Sequence, residues 1–164
     1  MVMGAPLFCK GEKMQQKIDW IYHYVGNGVP CAICGKVEDS FPHGICDAHT
    51  HGMDKYGHPE FQVIIDGGPK ETGRLLNTMG LRVQSGEHFK SGDEIEGLYL
   101  DCNVQLREMP DANGKPVLRL VIPDAKNRLP EEGADYPYCL QVLATPVFYI
   151  GTGLCKCAGN DDEN

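Results

Sequence analysis

Residues 31–60 of the chain read CAICGKVEDSFPHGICDAHTHGMDKYGHPE, and this segment is the basis for predicting both the fold and a site. It holds three of the eight cysteines and four of the six histidines of the chain. Thiolates and imidazoles are the side chains that zinc binds most often in proteins. Their concentration in one segment predicts a metal-binding knuckle that runs into a histidine-rich strand or turn.

The spacing of the cysteines is typical of zinc-binding proteins. Cys31 and Cys34 are separated by two residues, which lets both sulfur atoms reach one ion. Cys46 and His49 form a second close pair, and the whole pattern is C-x2-C-x11-C-x2-H. Three thiolates and one imidazole would complete a closed tetrahedral shell, the arrangement of a structural site. We therefore predict a structural zinc ion bound by Cys31, Cys34, Cys46 and His49.

The fourth ligand of this predicted site has alternatives, both within the segment and at the far end of the chain. They are His51, His43, Cys155 and Cys157. Two further interpretations involve no metal. The cysteines could be reduced, partly buried thiols beside surface histidines, or the two knuckle cysteines could form a redox-active or disulfide pair.

The histidines also raise the question of an enzyme. His49 and His51 are two residues apart, so on a strand both imidazoles would face one side, as in the metal-dependent amidohydrolases. Those enzymes are barrels of about 250 residues. The sequence has neither that length nor the alternation of strands and helices, so we interpret the match as coincidence. A small metal-finger nuclease would need a second cysteine pair on a following helix and a basic surface, and the sequence offers neither.

A third possibility concerns His58-Pro59-Glu60. A histidine beside a carboxylate can titrate near neutral pH and transfer protons. The simpler interpretation is a turn before a strand, in which the His58 ring bonds to the backbone. The candidate catalytic residues are therefore His51, His58 and Glu60, in a pocket with an open coordination position.

Length and charge limit the possible classes of protein. The 164 residues suffice for one domain with its own core, expected over 1–154, with 155–164 as a flexible tail. The 15 basic and 23 acidic residues give a net charge of −8, which argues against nucleic-acid binding. No window is apolar enough for a transmembrane helix or an export signal, so we expect a cytoplasmic protein. In reducing surroundings, clustered cysteines bind metals more often than they form disulfides.

The remaining patterns predict a single α+β domain. Apolar residues spaced by three and four predict two principal helices, over 12–25 and 69–84. Short β-branched runs and apolar–polar alternation predict strands over 61–65, 98–108, 117–122, 138–143 and 147–150. Asn-Gly in 111–115 predicts a hairpin loop. Because the strands predicted from residue 98 onward follow one another without intervening helices, we expect a mainly antiparallel sheet.

Several short motifs resemble a known family. They are His49-Thr50-His51-Gly52-Met53, Tyr56-Gly57-His58-Pro59-Glu60-Phe61, Leu75-Leu76-Asn77, Gly86-Glu87-x-Phe89-x-x-Gly92, Ile122-Pro123-Asp124 with Arg128-x-Pro130, and Leu140-Gln141-Val142. Over residues 48–143, in this order, the chain resembles the bacterial domain-of-unknown-function 4262 family. The resemblance implies a compact bacterial α+β domain and no particular activity.

The chain departs from that family in two places. His49 and His51 stand where the family usually has an aromatic and an aliphatic residue, and residues 31–46 lie outside the shared part. Both departures suggest a metal site added to the common scaffold. If the Gly-His-Pro-Glu motif of the family lines a pocket, His58 and Glu60 are its polar members.

Two functional hypotheses follow. In the first, the chain is a cytoplasmic, zinc-stabilised module that binds a small molecule or a partner protein, and neither nucleic acid nor membrane is a partner. In the second, it is a metal-dependent hydrolase with an incompletely filled site around His49, His51 and His58. A closed shell of four protein ligands favours the first hypothesis, and three ligands with a bound water favour the second.

Overall fold

A computed structural model describes residues 17–28, 30, 35 and 41–149. Its strands are β1 (Ile21–Gly26), β2 (Ile45–His51), β3 (Phe61–Ile65), β4 (Glu94–Ile95), β5 (Val104–Pro110) and β6 (Pro116–Val121). Its helices are α1 (Pro69–Gln84) and α2 (Thr145–Tyr149), and 3₁₀ turns occur at Met53–Tyr56, Pro130–Glu132 and Tyr138–Val142.

The six strands form one sheet in the order β1-β2-β3-β6-β5-β4. Only β3 and β6 run parallel, and the other neighbouring pairs are antiparallel. A single mainly antiparallel sheet with two helices is the α+β fold that the sequence predicts. The parallel pair places β6 beside β3 in the centre of the sheet, which brings residues far apart in sequence onto one surface.

One face of the sheet is apolar and is covered by α1. Leu75, Leu76, Met79 and Val83 of this helix are buried against side chains from β2, β3, β5 and β6. Trp20 closes the edge of this core, and its indole nitrogen donates a hydrogen bond of 3.0 Å to Asn77 Oδ1. The helix therefore contributes its predicted apolar face, and its bounds are those predicted from the sequence.

The opposite face of the sheet has a smaller apolar cluster and a row of polar side chains. The cluster consists of Phe41, Ile45, Ile64, Phe148 and Tyr149, the last two from α2. The polar side chains lie beside this cluster and form the candidate site. α2 thus covers one part of a face whose remainder is polar.

Local patterns predict the middle of the chain well. The strand over 61–65 and the helix over 69–84 are confirmed, and the return strand predicted over 117–122 is β6, shifted by one residue. The hairpin loop is confirmed, since Asp111 Oδ1 accepts hydrogen bonds from the backbone nitrogens of Asn113 and Lys115. Among the described residues, no helix is both long and apolar enough to cross a bilayer.

The helix predicted over 12–25 is wrong in its described part. Residues 17–20 are not helical, and Ile21–Gly26 is an edge strand paired with β2 from Ile21 opposite His51 to Gly26 opposite Cys46. The run IYHYV is rich in β-branched and aromatic residues, which favour strands. Burial against β2 therefore outweighs a helical spacing that was present by chance.

The strand predicted over 98–108 begins only at Val104. Residues 98–101 form bends and 102–103 are irregular, with Leu100 fully exposed, and the Leu98 carbonyl accepts a hydrogen bond from Arg74 of α1. Because the neighbouring strand β4 has only two residues, the alternating pattern finds no partner over this stretch. The alternation over 98–108 would place Cys102 on the apolar face with Leu98 and Leu100, but Cys102 is partly exposed.

The strands predicted over 138–143 and 147–150 are also wrong as far as they are described. Their places are taken by the 3₁₀ turn Tyr138–Val142 and by α2. The carbonyl oxygens of Gln141 and Leu143 accept hydrogen bonds from Arg119. These acceptors are therefore used by a side chain instead of by a neighbouring strand.

The contact between α1 and Trp20 gives a first testable prediction. Replacing a glycine inside a helix by alanine normally stabilises it by about 1 kcal/mol. At Gly80, however, the new Cβ atom would lie 2.5 Å from Cζ2 of Trp20. We expect Gly80→Ala to lower the free energy of unfolding by about 1–3 kcal/mol, as overpacked cores do.

Urea unfolding followed by circular dichroism measures this change. In the double variant Gly80→Ala with Trp20→Phe the smaller ring leaves room for the methyl group, so the loss should be smaller than the sum of the two single losses. A single variant Gly80→Ala that is more stable than wild type would contradict the packing described.

Candidate metal centre

The alternation of side chains along β2 decides which residues can meet. Asp47, His49 and His51 face the polar side of the sheet, whereas Cys46 and Ala48 are buried in the core beneath α1. Neighbouring residues of a strand point to opposite faces, and residues two apart share one face. The spacing His49-x-His51 therefore does bring two imidazoles together.

A third imidazole comes from the edge strand. His23 of β1 lies directly opposite His49 of β2 in the antiparallel ladder. The ring centroid of His23 is 5.6 Å from that of His49 and 4.4 Å from that of His51. His23, His49 and His51 form the histidine cluster, in which one ligand nitrogen from each ring lies within 4.8 Å of the other two.

The spacing of the nitrogens suits a transition metal. Nε2 of His51 lies 3.0 Å from Nδ1 of His23. Two nitrogens bound to zinc at tetrahedral angles are about 3.3 Å apart, given Zn–N bonds of about 2.0–2.1 Å. This pair thus already lies close to the spacing of two ligands on one ion, and the His49 nitrogen lies within 4.8 Å of both. Imidazole nitrogen is a ligand that zinc, copper, nickel and iron all accept.

Asp47 fixes the orientation of His49. Nδ1 of His49 is 3.0 Å from Oδ1 of Asp47, and a carboxylate can only accept a hydrogen bond. Nδ1 of a neutral His49 therefore carries the proton, and Nε2 keeps the lone pair that a metal would bind. A carboxylate behind a histidine is the usual support of a metal ligand, because it fixes the tautomer and increases the basicity of the ring.

Asp47 is itself deeply buried yet remains ionised. Burial alone would raise the pKa of this carboxyl, but electrostatic interaction with the His49 ring and hydrogen bonds from His49, Tyr149 and Gln62 lower it to about 2. The Tyr149 hydroxyl donates to Oδ2 at 2.7 Å, and the Gln62 amide donates to Oδ1 at 3.1 Å. A fixed negative charge therefore stands directly behind the histidine cluster.

The cluster continues into a polar row across the sheet. In the strand register His23 lies opposite His49, His49 opposite Gln62, Gln62 opposite Arg119, and Arg119 opposite Arg107. Gln62 Oε1 accepts a 2.8 Å hydrogen bond from Nε of Arg119, whose side chain is fully buried. Burial lowers the pKa of Arg119 to about 10, against the opposing effect of Asp47. The guanidinium still stays charged at neutral pH.

A cavity borders the cluster on one side. It has a volume of about 480 Å³, and His49 and His51 form part of its wall. The hairpin loop between β5 and β6 contributes Asp111, Asn113 and Lys115 to the opposite part. A small molecule in this cavity could therefore reach two of the three imidazoles.

Two of the zinc ligands predicted from the sequence, Cys46 and His49, lie on opposite faces of β2. Cys46 lies in the apolar core, its thiol donates to the Val63 carbonyl at 3.7 Å, and burial raises its pKa. His49 points to the opposite face of β2, so the structure does not bring Cys46 and His49 together. His43 is exposed. The other cysteines proposed as ligands, Cys31, Cys34, Cys155 and Cys157, lie outside the described residues.

The two remaining catalytic candidates, His58 and Glu60, form hydrogen bonds with the local backbone. His58 is buried, its Nε2 accepts a hydrogen bond from the Phe89 nitrogen at 3.0 Å, and its Nδ1 lies 2.8 Å from the Pro59 carbonyl. The Glu60 carboxylate accepts hydrogen bonds from Thr50, Gly52 and Met53, and so holds the turn after β2. Both residues line the cavity, but their polar atoms hold the local structure together.

Sequence reasoning missed His23, Asp47, Gln62 and Arg119. His23 was assigned to a helix, and the strand-forming run IYHYV is the signal that could have placed it beside β2. Asp47 shares the period of His49 and His51, which indicates a common face once β2 is recognised as a strand. The contribution of Gln62 and Arg119 depends on the β3–β6 pairing, for which the sequence has no local signal.

The environment of His58 predicts a dependence of stability on pH. Burial lowers the pKa of His58, and the neighbouring His88 lowers it further. The folded state therefore binds the His58 proton more weakly than the unfolded state, whose pKa is about 6.5. The stability that the fold gains from a neutral His58 is therefore complete above the unfolded-state pKa, and it is lost as the pH falls below that value.

We expect the free energy of unfolding to fall less steeply in His58→Gln than in wild type between about pH 7.5 and about pH 5. Urea titrations at several pH values measure both slopes, and the histidine cluster affects both proteins alike. Equal slopes would show that His58 is not held neutral by its surroundings.

Comparisons with family models, curated proteins and solved structures found no match to this chain. The resemblance to the domain-of-unknown-function 4262 family therefore stays a prediction, and the case for a function depends on the geometry of the site.

Proposed function

We propose that this chain is a zinc-binding α+β protein whose ion is held by His23, His49 and His51. The observation that carries the proposal is the convergence of three imidazoles, with ligand nitrogens within 4.8 Å of one another, in front of the buried Asp47 carboxylate. Three neutral nitrogens with a carboxylate behind one of them form a known type of zinc site. Zinc is preferred because it is the common metal for such ligands in tetrahedral geometry.

A bound ion would have a structural consequence. Among the strands that the structure describes, β1 lies at the edge of the sheet and β2 is its only neighbour. An ion held by His23 from β1 and by two residues from β2 would fix the two strands to each other, in addition to their backbone hydrogen bonds. This supports a metal-stabilised module, and we propose in addition that the module acts in the cytoplasm by binding a small molecule or a partner protein.

The proposal is tested by zinc titration of the purified full chain after removal of bound metal. We expect one ion per chain, and a loss of affinity of about 100-fold or more in each of His23→Ala, His49→Ala and His51→Ala. The expected loss is large because even removal of a residue that supports a ligand costs about 10–100-fold. His88→Ala is the matched control, since His88 is exposed and lies outside the cluster.

Two results would contradict the imidazole site. One is unchanged zinc affinity in all three cluster variants. The other is a loss confined to Cys31→Ser and Cys34→Ser, which would favour the thiolate shell predicted from the sequence spacing. These two cysteines stay predicted ligands until such variants are measured.

A metal-dependent hydrolase is the second candidate function, and the cavity beside the cluster favours it. Three imidazoles with a bound water are the ligand set of several catalytic zinc sites, in which the metal lowers the pKa of that water to about 7. His49 and His51 line a cavity of about 480 Å³, so a substrate there could reach the ion. A fourth protein ligand such as Cys31 or Cys34 would instead close the shell.

Replacing zinc by cobalt(II) distinguishes the two functions. A hydrolase site with three imidazoles and water gives a cobalt spectrum without sulfur-to-cobalt charge transfer, and hydrolysis of an activated ester that His49→Ala abolishes. A closed structural site gives a charge-transfer band that disappears in Cys31→Ser or Cys34→Ser, and no hydrolysis. The second result would exclude the hydrolase and leave the zinc-stabilised module.

A further inference from the structure

We propose that α2 is part of the metal site, and that Tyr149 acts as a positioning residue which couples docking of α2 to metal binding through Asp47. This inference rests on the proposed metal site. It assigns a task to Thr145–Tyr149, a segment in which the sequence analysis names no candidate site residue. It also predicts a reciprocal effect. Docking of α2 would strengthen metal binding, and metal binding would stabilise docked α2.

The first step is the contact between α2 and the carboxylate. The Tyr149 hydroxyl donates a 2.7 Å hydrogen bond to Oδ2 of Asp47, while His49 occupies Oδ1 at 3.0 Å. Tyr149 thus holds the carboxylate from the side opposite to the cluster. Without this donor the carboxylate keeps only the hydrogen bonds at Oδ1, from His49 and Gln62, and its orientation behind His49 is less firmly held.

The second step is the other end of the same helix. Thr145 accepts hydrogen bonds at its Oγ1 from Gln62 at 2.8 Å and from Arg119 at 3.0 Å. The Gln62 amide nitrogen that donates to Thr145 also donates to Asp47. Tyr149 is therefore joined to Asp47 directly, and Thr145 is joined to it through Gln62.

The third step is charge. Asp47 and Arg119 are both buried, and Gln62 lies between them with one polar end on each. A buried ion needs compensation by opposite charge and by hydrogen bonds. A divalent cation in the histidine cluster would add positive charge on the far side of His49, and would strengthen the attraction that holds Asp47 and its donors in this arrangement.

The fourth step is the marginal stability of α2. The five described residues of α2 are by themselves too few for a helix that is stable without tertiary contacts. Phe148 and Tyr149 pack into the small apolar cluster, and the hydrogen bonds of Thr145 and Tyr149 named above add to the attachment. A peripheral element of this kind undocks at a lower free energy than the centre of the sheet. A small change at Asp47 is therefore enough to shift its docking equilibrium.

Thermodynamic linkage gives the quantitative form of the proposal. If docking of α2 increases the affinity for zinc by some factor, zinc binding must favour docking by the same factor. We expect Tyr149→Phe to weaken zinc binding by about 3–10-fold, less than the 10–100-fold range for direct partners of metal ligands, because Tyr149 acts through Asp47. Tyr22→Phe is the matched control, since it also removes one hydroxyl bond, to the Pro69 carbonyl, on the other face of the sheet.

A second measurement does not depend on any variant. Hydrogen exchange of the wild-type chain, followed by mass spectrometry, compares the peptide that contains residues 141–149 with and without zinc. We expect exchange in this peptide to slow by the same factor of about 3–10 when zinc is bound. In His49→Ala the addition of zinc should leave it unchanged.

The outcomes separate this inference from the proposed function. Suppose that zinc binds the wild-type chain but not His49→Ala. If Tyr149→Phe then keeps full zinc affinity, and zinc leaves the hydrogen exchange of residues 141–149 unchanged, the coupling is overturned and the metal site stands. Equal losses of affinity in Tyr149→Phe and Tyr22→Phe would also overturn the coupling, because they would reflect general destabilisation. If wild type binds no zinc at the cluster, both proposals are overturned.

Discussion

The need to satisfy one buried carboxylate organises the polar face of this protein. Asp47 is almost inaccessible to solvent and accepts hydrogen bonds from His49, Gln62 and Tyr149. These donors come from β2, from β3 and from α2, so three separate elements meet at one side chain. An isolated charge in such a place would be strongly unfavourable. The arrangement of β2, β3 and α2 on this face therefore follows from how the charge is compensated.

The two faces of the sheet are stabilised in different ways. Beneath α1 the side chains are apolar and close-packed, which provides most of the area removed from water. On the other face a row of polar residues crosses the sheet from His23 to Arg107. Hydrogen bonds join His49, Asp47, Gln62 and Arg119 in its middle part. Hydrogen-bond networks have directional requirements that apolar contacts lack. The apolar face thus provides stability, while the polar face fixes the geometry of the site.

The imidazole cluster changes the chemistry expected of the metal site. A shell of thiolates is typical of a closed structural site, whereas three imidazoles are also found in open catalytic sites. The difference arises from a simple property of strands. Cys46 and His49 are three positions apart and face opposite ways, whereas His49 and His51 are two positions apart and face the same way. The spacing C-x2-H is suited to a turn or a knuckle, and the structure places it on a strand.

Local sequence determined the elements whose apolar or β-branched pattern is uninterrupted and agrees with the packing of the neighbouring elements. The helix Pro69–Gln84 follows from its apolar stripe and its N-terminal proline, and Phe61–Ile65 follows from its β-branched run. The asparagine–glycine hairpin and the α+β class belong to the same group. The concentration of histidines around residue 50 also indicated where a site would lie, because ligand types can be read without any knowledge of contacts.

Only the tertiary structure decided which residues make up that site. His23 joins the cluster because β1 pairs with β2, and Arg119 reaches Gln62 because β6 lies parallel to β3. Such pairings bring together residues far apart along the chain and leave no periodicity in either segment. The same holds for Thr145 and Tyr149, whose short helix forms where their hydroxyl groups meet Arg119, Gln62 and Asp47. A sequence pattern indicates on which side of a strand a residue lies. The pairing of strands determines which other side chains it meets there.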